Sequence, residues 1–558
     1  MDFPLIRSRE RQSVPERPST NGTNTPTAAA ADIIDRRPHT PDKDLPGGAN
    51  WVVQKFGGTS VGKFAVRIAE EIVVAGLRDQ RVAVVCSARS TGTKAEGTTN
   101  RLLRAARDVL AGAAGKYVDI VEAVKVDHVR AGEECFMGGS SGSSSREILE
   151  GYTESVNAEC LELLKDLGGA YQLEEMTSGT MDKVMSRGEK LSCLFMTALL
   201  QARGVNAVYV DLSAVITFPT AKGLNDDFYR RLAVAMTDRI LSHGPDVVPV
   251  ITGYFGKVPG GLLDQVGRGY TDLCAALVAV GLKARELQIW KEVDGIFTAD
   301  PRKVPTARLL DSVTPSEAAE LTFYGSEVIH PFTMDQVIRA SIPIRIKNVM
   351  NPRNSGTVIF PDPADELAAR KRAGLFRNRS VSNLSPPHAR GPKRPTAVTI
   401  KPSITVLNVH SKRRTRAHGF LMSIFRILDT HGLSVDLISS SEVHVSMAIH
   451  SESALLSGQG EEEMKIEDAA LQGAVDDLSR WGDVDLVPNM AIISLVGRQL
   501  RSMVGISGRF FSTLGEHGVN IEMISQGASE INISCVIEER EANRALNVVH
   551  TNLFTFLE

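Results

Sequence analysis

A lysine followed by a glycine-rich turn is the first string along this chain with the makings of chemistry: Lys55-Phe56-Gly57-Gly58-Thr59-Ser60-Val61-Gly62. A strand pattern precedes it and a helical pattern follows. Paired glycines at a strand-to-helix turn let backbone N–H groups come close to a phosphate, and the partial positive charge of a helix N-terminus favours the anion. Lys55 stands before the glycines, whereas the Walker arrangement puts its lysine after them, so this is a different phosphate cradle. Gly-Gly alone would as readily be a structural turn beside a surface lysine. The full eight-residue string points to a ligand.

Elements able to position such a turn follow in regular order. Strand candidates are Trp51–Phe56, Arg81–Cys86, Asn206–Asp211, Val247–Thr252, Glu286–Trp290 and Ile342–Lys347, with amphipathic stretches such as Asp182–Gln201 and Asp226–Ser242 between them. Alternation of this kind predicts an α/β domain with a largely parallel sheet, covered by helices on both faces. The Gly/Ser run Gly138–Ser145 reads as a flexible surface insertion.

A second low-complexity segment, Asp362–Pro395, carries Arg, Lys, Pro and Ser and reads as a solvated interdomain linker. An internal repeat follows it. Ile404–Val409 resembles Ile492–Val496, and Gly419 through Ser439 matches Gly505 through Ser525 at a constant offset, with His431-Gly432 answering His517-Gly518. Ser441-Glu442-Val443 then pairs with Ser529-Glu530-Ile531 after a short slip. Each copy reads strand, loop, helix, strand, strand, a ferredoxin-like start. Two such units can stack and bury ligands between them.

Composition narrows the class. A chain of 558 residues is too long for one core, and its formal net charge of −3 lacks the basic excess of a nucleic-acid binder. No window has the ~18 apolar residues of a membrane span. Cys86, Cys135, Cys160, Cys193, Cys274 and Cys535 are scattered without a Cys-x-x-Cys pair, which fits a reducing cytoplasm rather than a disulfide or zinc framework. Residues 1–47 are polar and Pro/Thr-rich and read as a disordered tail; their acidic residues disfavour a transit peptide.

Several segments together resemble the aspartate kinases of the amino acid kinase family. The Lys55–Gly62 string resembles their N-terminal signature, and Ser87-Ala88 followed by Thr99-Asn100-Arg101-Leu102-Leu103 resembles their second loop. Ser186-Arg187-Gly188-Glu189 resembles the start of their substrate helix. Gly267-Arg268-Gly269-Tyr270-Thr271-Asp272 and the stretch from Trp290 to Arg302 resemble their aspartate and nucleotide segments. The repeat resembles a tandem pair of ACT domains. The implied architecture is a three-layer α/β/α kinase domain over 48–361, a linker over 362–398, and ferredoxin-like ACT units over 399–488 and 489–558. Gly269-Tyr270-Thr271-Asp272 and the long polar spacer Arg89–Gly97 resemble the fungal branch. Glu327 stands where some bacterial members place a nucleotide-binding lysine, and Phe297 replaces a common tyrosine.

The resemblance also implies roles. The acceptor, the side chain of L-aspartate, is ionised near neutral pH, so transfer from ATP needs positioning and charge stabilisation more than a base. Lys55 is expected on the β/γ-phosphates with Gly57, Gly58, Thr59 and Ser60 as close donors. Arg268 is expected on the α-carboxylate and Glu189 on the α-ammonium, with Ser87 and Thr99 completing the pocket. Asp272 orients Lys55 or caps its helix. Lys291, Glu292, Phe297, Asp300 and Arg302 are expected at the nucleotide, with Mg2+ carried by phosphate oxygens and no dedicated protein cage. The implied effector is L-threonine, at Gly419, Phe420, Leu421, Ser434, Val435, Asp436 and Glu442 of the first copy with Asn520 and Ile521 of the second. Paired ACT units imply a homo-oligomer; nucleic acid and membrane are not expected partners. The rival readings are another enzyme of the same fold, such as a glutamate kinase, and an inactive amino-acid-sensing protein.

Overall fold

The valine- and isoleucine-rich runs become strands because alternate side chains fill two cores at once. In β1 (Trp51–Phe56), Trp51 and Val53 join one core and Phe56 the other; in β2 (Arg81–Cys86), Ala83 and Val85 face the first and Val82, Val84 and Cys86 the second. The computed structural model describes residues 50–555 except 93–95, 114, 137–141, 221–223, 267–268, 326–328, 361–393, 413–418, 442, 451–455, 458–464, 499, 501–502 and 528–530. The expected tail, nearly all of the expected linker, Arg268, Glu327 and Glu442 therefore lie outside the described residues.

With β3 (Ala207–Val210), β4 (Val248–Thr252), β5 (Glu286–Lys291), β6 (Ser312–Val313), β7 (Ile344–Asn348) and β8 (Thr357–Ile359), these strands make one sheet in the order β3-β4-β2-β1-β5-β7-β8-β6. Every pairing is parallel except β7 with β8. Helices Asp226–Leu241 and Tyr270–Gly281 cover one face, and Gly58–Arg67, Thr98–Leu110, Lys116–Phe136 and Ser178–Ala202 the other. This is the three-layer α/β/α arrangement. Of the Gly/Ser run, 138–141 lie outside the described residues, while Gly142 opens a helix reaching Leu173 and Ser145 is buried. From Gly142 on, packing overrides a composition that alone would leave the chain loose.

The C-terminal half forms a six-stranded antiparallel sheet. Its strands are β9 (Ala397–Ser411), β10 (Leu437–Ser440), β11 (His444–His450), β14 (Gly482–Val496), β15 (Met523–Ser525) and β16 (Asn532–Glu538), in the order β10-β11-β9-β14-β16-β15; β12 (Leu456–Ser457) and β13 (Lys465–Ile466) pair separately. The repeat is visible in three dimensions. Gly419 and Gly505 each precede a helix, Phe420–Thr430 and Ile506–Glu516, with φ of 86° and 83°, and Gly432 and Gly518 follow those helices at positive φ.

The two long strands serve both units. Ile404–His410 pairs with β11, while Ala397–Lys401 pairs with the half of β14 from Ile492 to Val496, which pairs on its other edge with β16. Ser403 and Asn489, both left-handed, break each strand at the crossing. The second unit thus closes its sheet with residues that precede the first unit in the chain, because after the Ala542–His550 helix no further strand follows among the described residues. Contacts unite the described residues in a single body, Gly48–Glu558.

Candidate active site

β1 lies between β2 and β5, so its carboxyl end opens into the crevice above parallel strands where ligands of such sheets bind. Lys55 emerges there and its Nζ meets Asp272 Oδ1 at 2.7 Å, with the lysine side chain 11% exposed. Asp272 sits in the first turn of the Tyr270–Gly281 helix, whose N-cap is Gly269 without a side-chain cap. Of the two roles open to Asp272 in the sequence, the geometry provides the contact to Lys55.

The two glycines of the turn do different work. A Cβ on Gly57 would meet nothing within 4 Å, so this residue presents open backbone to the crevice. A Cβ on Gly58 would lie 2.0 Å from the Ala88 carbonyl oxygen, and one on Gly62 2.1 Å from that of Ser90. Gly58 and Gly62 therefore admit the loop after β2 as much as any phosphate. Ser60 donates to Glu292 Oε1 at 2.7 Å and so ties the turn to the segment after β5.

Next to Asp272, Thr271 donates its hydroxyl to Glu189 Oε1. Glu189 is buried on the Ser178–Ala202 helix. Burial pushes its carboxyl up to about 7, although the Thr271 hydroxyl, the amides of Gly253 and Tyr254 and the Lys55 charge pull the other way. Its Oε2 is a buried oxygen without a hydrogen bond in the protein. A ligand ammonium would satisfy it.

Ser87 is half-buried directly after β2, its N–H donating to the Phe56 carbonyl, and Thr99 is half-buried in the first turn of its helix. Arg89, read from sequence as the start of a polar spacer, is instead buried. Its N–H donates to Ser192 Oγ at 2.6 Å, its carbonyl accepts from the Thr98 hydroxyl at 2.8 Å, and its guanidinium donates to Asp127 Oδ2 at 2.9 Å. It fastens the loop after β2 to the Ser178–Ala202 helix. Nothing in a run of polar residues marks which one turns inward.

A cavity of about 790 Å3 gathers Lys55, Gly57, Gly58, Thr59, Ser60, Lys291, Glu292, Phe297, Asp300 and Arg302. All ten residues expected at the nucleotide thus line one space. Arg302 is 85% exposed and binds Asp300 through two bonds of 3.0 Å, an arrangement free to turn toward a phosphate. Asp294 is held by Asn348 and Asn351 at 3.1 and 3.2 Å, and Gly295 is needed because a Cβ there would strike Thr357. Sequence gave no sign that Val398, Thr399, Ile400, Pro402 and Leu546, about 100 residues or more further on, would line the same cavity.

In the C-terminal repeat the residues expected at an effector divide. Phe420 and Val435 pack into the first unit's own core and Ile521 against the second's, leaving backbone groups for any ligand there. Gly419, Leu421, Ser434 and Asn520 stand at the surface of the two repeats. Asp436 pairs with Lys401 at 2.7 Å, and the same lysine lies 4.7 Å over the ring of Phe323 in the Pro315–Phe323 helix.

The profile of the amino acid kinase family matches residues 50–348, and that of the ACT domain matches 493–553. An aspartokinase of Schizosaccharomyces pombe is 50% identical over 512 residues, covering 90% of this chain and 92% of its own. One of Saccharomyces cerevisiae is 50% identical over 517 residues, covering 91% and 93%. Among solved structures, E. coli aspartokinase III with aspartate and ADP superposes with a TM-score of 0.64 at 27% identity, covering 90% of this chain and 99% of that one. The same enzyme with lysine and aspartate gives 0.67 at 26%, covering 90% and 100%.

Proposed function

We propose, from the premise that this chain belongs to the amino acid kinase family and is an aspartate kinase, that ATP fills the 790 Å3 cavity and that the side-chain carboxylate of L-aspartate meets the γ-phosphoryl group beside Lys55. The observation carrying this assignment is the Lys55–Asp272 pair, joined on one side to the glycine turn and on the other, through Thr271, to buried Glu189. Donor and acceptor sites thereby share one cation.

Each group has a task that follows from its chemistry. Lys55, held in place by Asp272, stabilises negative charge on the transferring phosphoryl group. The amides of Gly57, Gly58, Thr59 and Ser60 steady the phosphates. Glu189 takes the α-ammonium on its unpartnered oxygen, Arg268 the α-carboxylate, and Ser87 and Thr99 border the acceptor. Lys291, Glu292, Phe297, Asp300 and Arg302 surround the rest of the nucleotide. Mg2+ supplies neutralisation of phosphate charge when bound, and phosphate oxygens and water are its expected ligands. Glu292, Asp272 and Asp300 are each already engaged by Ser60, Lys55 or Arg302, and no group of three His, Cys, Asp or Glu among the described residues is placed to hold a metal.

The product is 4-phospho-L-aspartate, the entry to threonine and methionine biosynthesis. L-threonine is the effector this reading assigns to the ACT pair, which also joins subunits into a homo-oligomer in the cytoplasm; the fungal relatives at half identity support that branch. Among the described residues no helix is long and apolar enough to cross a membrane. A hydroxamate assay tests the reading, because hydroxylamine traps an acyl phosphate. Product is expected with aspartate and not glutamate, falling ~100-fold or more in Lys55→Met and falling as threonine is titrated. Turnover unchanged in Lys55→Met would remove the catalytic assignment, and indifference to threonine the regulatory one.

A further inference from the structure

The segment 297–308 carries Phe297, Asp300 and Arg302, yet its buried side chains belong to a different domain. Ala299 and Val304 lie in the core of the second sensor unit, with Ile493, Phe510, Leu546 and Val549. Val398 of β9 donates its N–H to the Thr298 carbonyl at 2.8 Å. Asn547 donates to the Lys303 carbonyl at 3.0 Å and Arg308 to the Phe554 carbonyl at 3.1 Å.

His550 sits at the centre of these contacts, fully buried at the end of the Ala542–His550 helix. Its Nε2 bonds the Thr298 hydroxyl at 2.9 Å and its Nδ1 the Thr306 hydroxyl at 3.2 Å. Both ring nitrogens thus end on the same segment, one on each side of Asp300 and Arg302. Phe554 stacks on the ring at 5.0 Å and nearly parallel, fixing its plane. The Thr298 hydroxyl also accepts from the Arg308 N–H at 2.9 Å, closing the base of the loop. One helical turn before His550, Leu546 lines the nucleotide cavity itself. Burial and the nearby Arg308 charge lower the basicity of the imidazole, which keeps it neutral at physiological pH; a neutral ring offers one donor and one acceptor, and each threonine hydroxyl can complement either.

We propose that His550 is a positioning residue for the nucleotide: by bonding Thr298 and Thr306 at once it holds the Asp300–Arg302 loop against the second ACT unit, so that this unit forms one wall of the ATP site. The proposal rests on the reading that the cavity takes ATP. It makes the second unit a structural part of substrate binding, whereas the first unit has a core of its own and, among the described residues, lines that cavity only through β9. A histidine that only filled the core would, when removed, weaken every property of the enzyme together. A histidine that shapes the loop weakens nucleotide binding selectively.

The full-length chain separates the two. His550→Ala, His550→Gln and Thr306→Val are compared with wild type for ADP affinity by calorimetry and for the KM of ATP and of aspartate. Thr306 is exposed, so its variant keeps the fold even where His550→Ala does not. One lost bond is worth about three- to tenfold. Thr306→Val is expected to weaken ADP about threefold and His550→Ala about tenfold or more, with the aspartate KM unchanged and His550→Gln partly restored. ADP affinity equal to wild type in Thr306→Val and in folded His550→Ala overturns the proposal, as does a parallel rise in both KM values. A wild-type chain that binds no ADP removes the nucleotide reading, and this inference with it.

Discussion

Burial sets the charge of Glu189 near neutral pH, and that has a measurable consequence. Its carboxyl titrates at about 7, well above the ordinary value, so the ionised form gains population only as pH rises through that point. An α-ammonium pairs with the ionised form. The kcat/KM for aspartate, which reports the free enzyme, is therefore expected to climb about tenfold per pH unit below about 7 and level off above it. In Glu189→Gln the climb should vanish, with kcat/KM about 100-fold lower because a charge-assisted bond is gone. A wild-type curve flat from about pH 5.5 to about 8 would exclude this role. Lys55 and Glu189 were legible in the sequence because their motifs are local strings. The Thr271 hydroxyl that restrains Glu189, and the inward turn of Arg89, were not, since each partner lies far away in the chain.

At the level of elements, the glycine turn mixes two requirements that look alike in sequence. Gly57 has φ of −70° and free space where a Cβ would go, so Gly57→Ala is expected to fold with no more than the ~1 kcal/mol cost of a poorer helix N-cap and with a lower ADP affinity. Gly58→Ala forces a methyl against the Ala88 carbonyl, a backbone atom that cannot swing aside, and is expected to cost about 1–3 kcal/mol of stability and displace the second loop. Thermal unfolding beside ADP titration distinguishes them; equal destabilisation by the two variants would contradict this division. The central strands were legible because buried parallel strands are continuous apolar runs. The edge strands β6 and β8 were not, being two and three residues long. Nor was the borrowed strand of the second ACT unit: its first residues, Ala397 and Val398, fall inside the stretch read as linker, and no local pattern says that Ala397–Lys401 will join β14.

At the scale of the whole molecule, chain order and mechanical grouping differ. The second ACT unit shares its core with Ala299 and Val304 of the 297–308 segment, and buried Glu317 of the kinase domain accepts from Thr396 at 2.6 Å and from the Arg498 N–H at 2.9 Å. The first unit closes a separate core around Leu407, Ile424, Leu428 and Leu471. Local opening follows such boundaries, because amides exchange with the smallest cooperative body that must open to free them. The helices Ile506–Glu516 and Ala542–His550 are therefore expected to exchange hydrogen slowly, with the kinase core, and to slow further when ADP binds. The Phe420–Thr430 helix is expected to exchange faster and to respond to threonine more than to ADP. Hydrogen exchange followed by mass spectrometry resolves the three helices in one experiment. Equal ADP protection across all of them would mean that the two ACT units move as one body, and the proposed threonine effect would then have to reach the catalytic crevice through the wall of the cavity itself rather than through the Lys401 contact to Phe323.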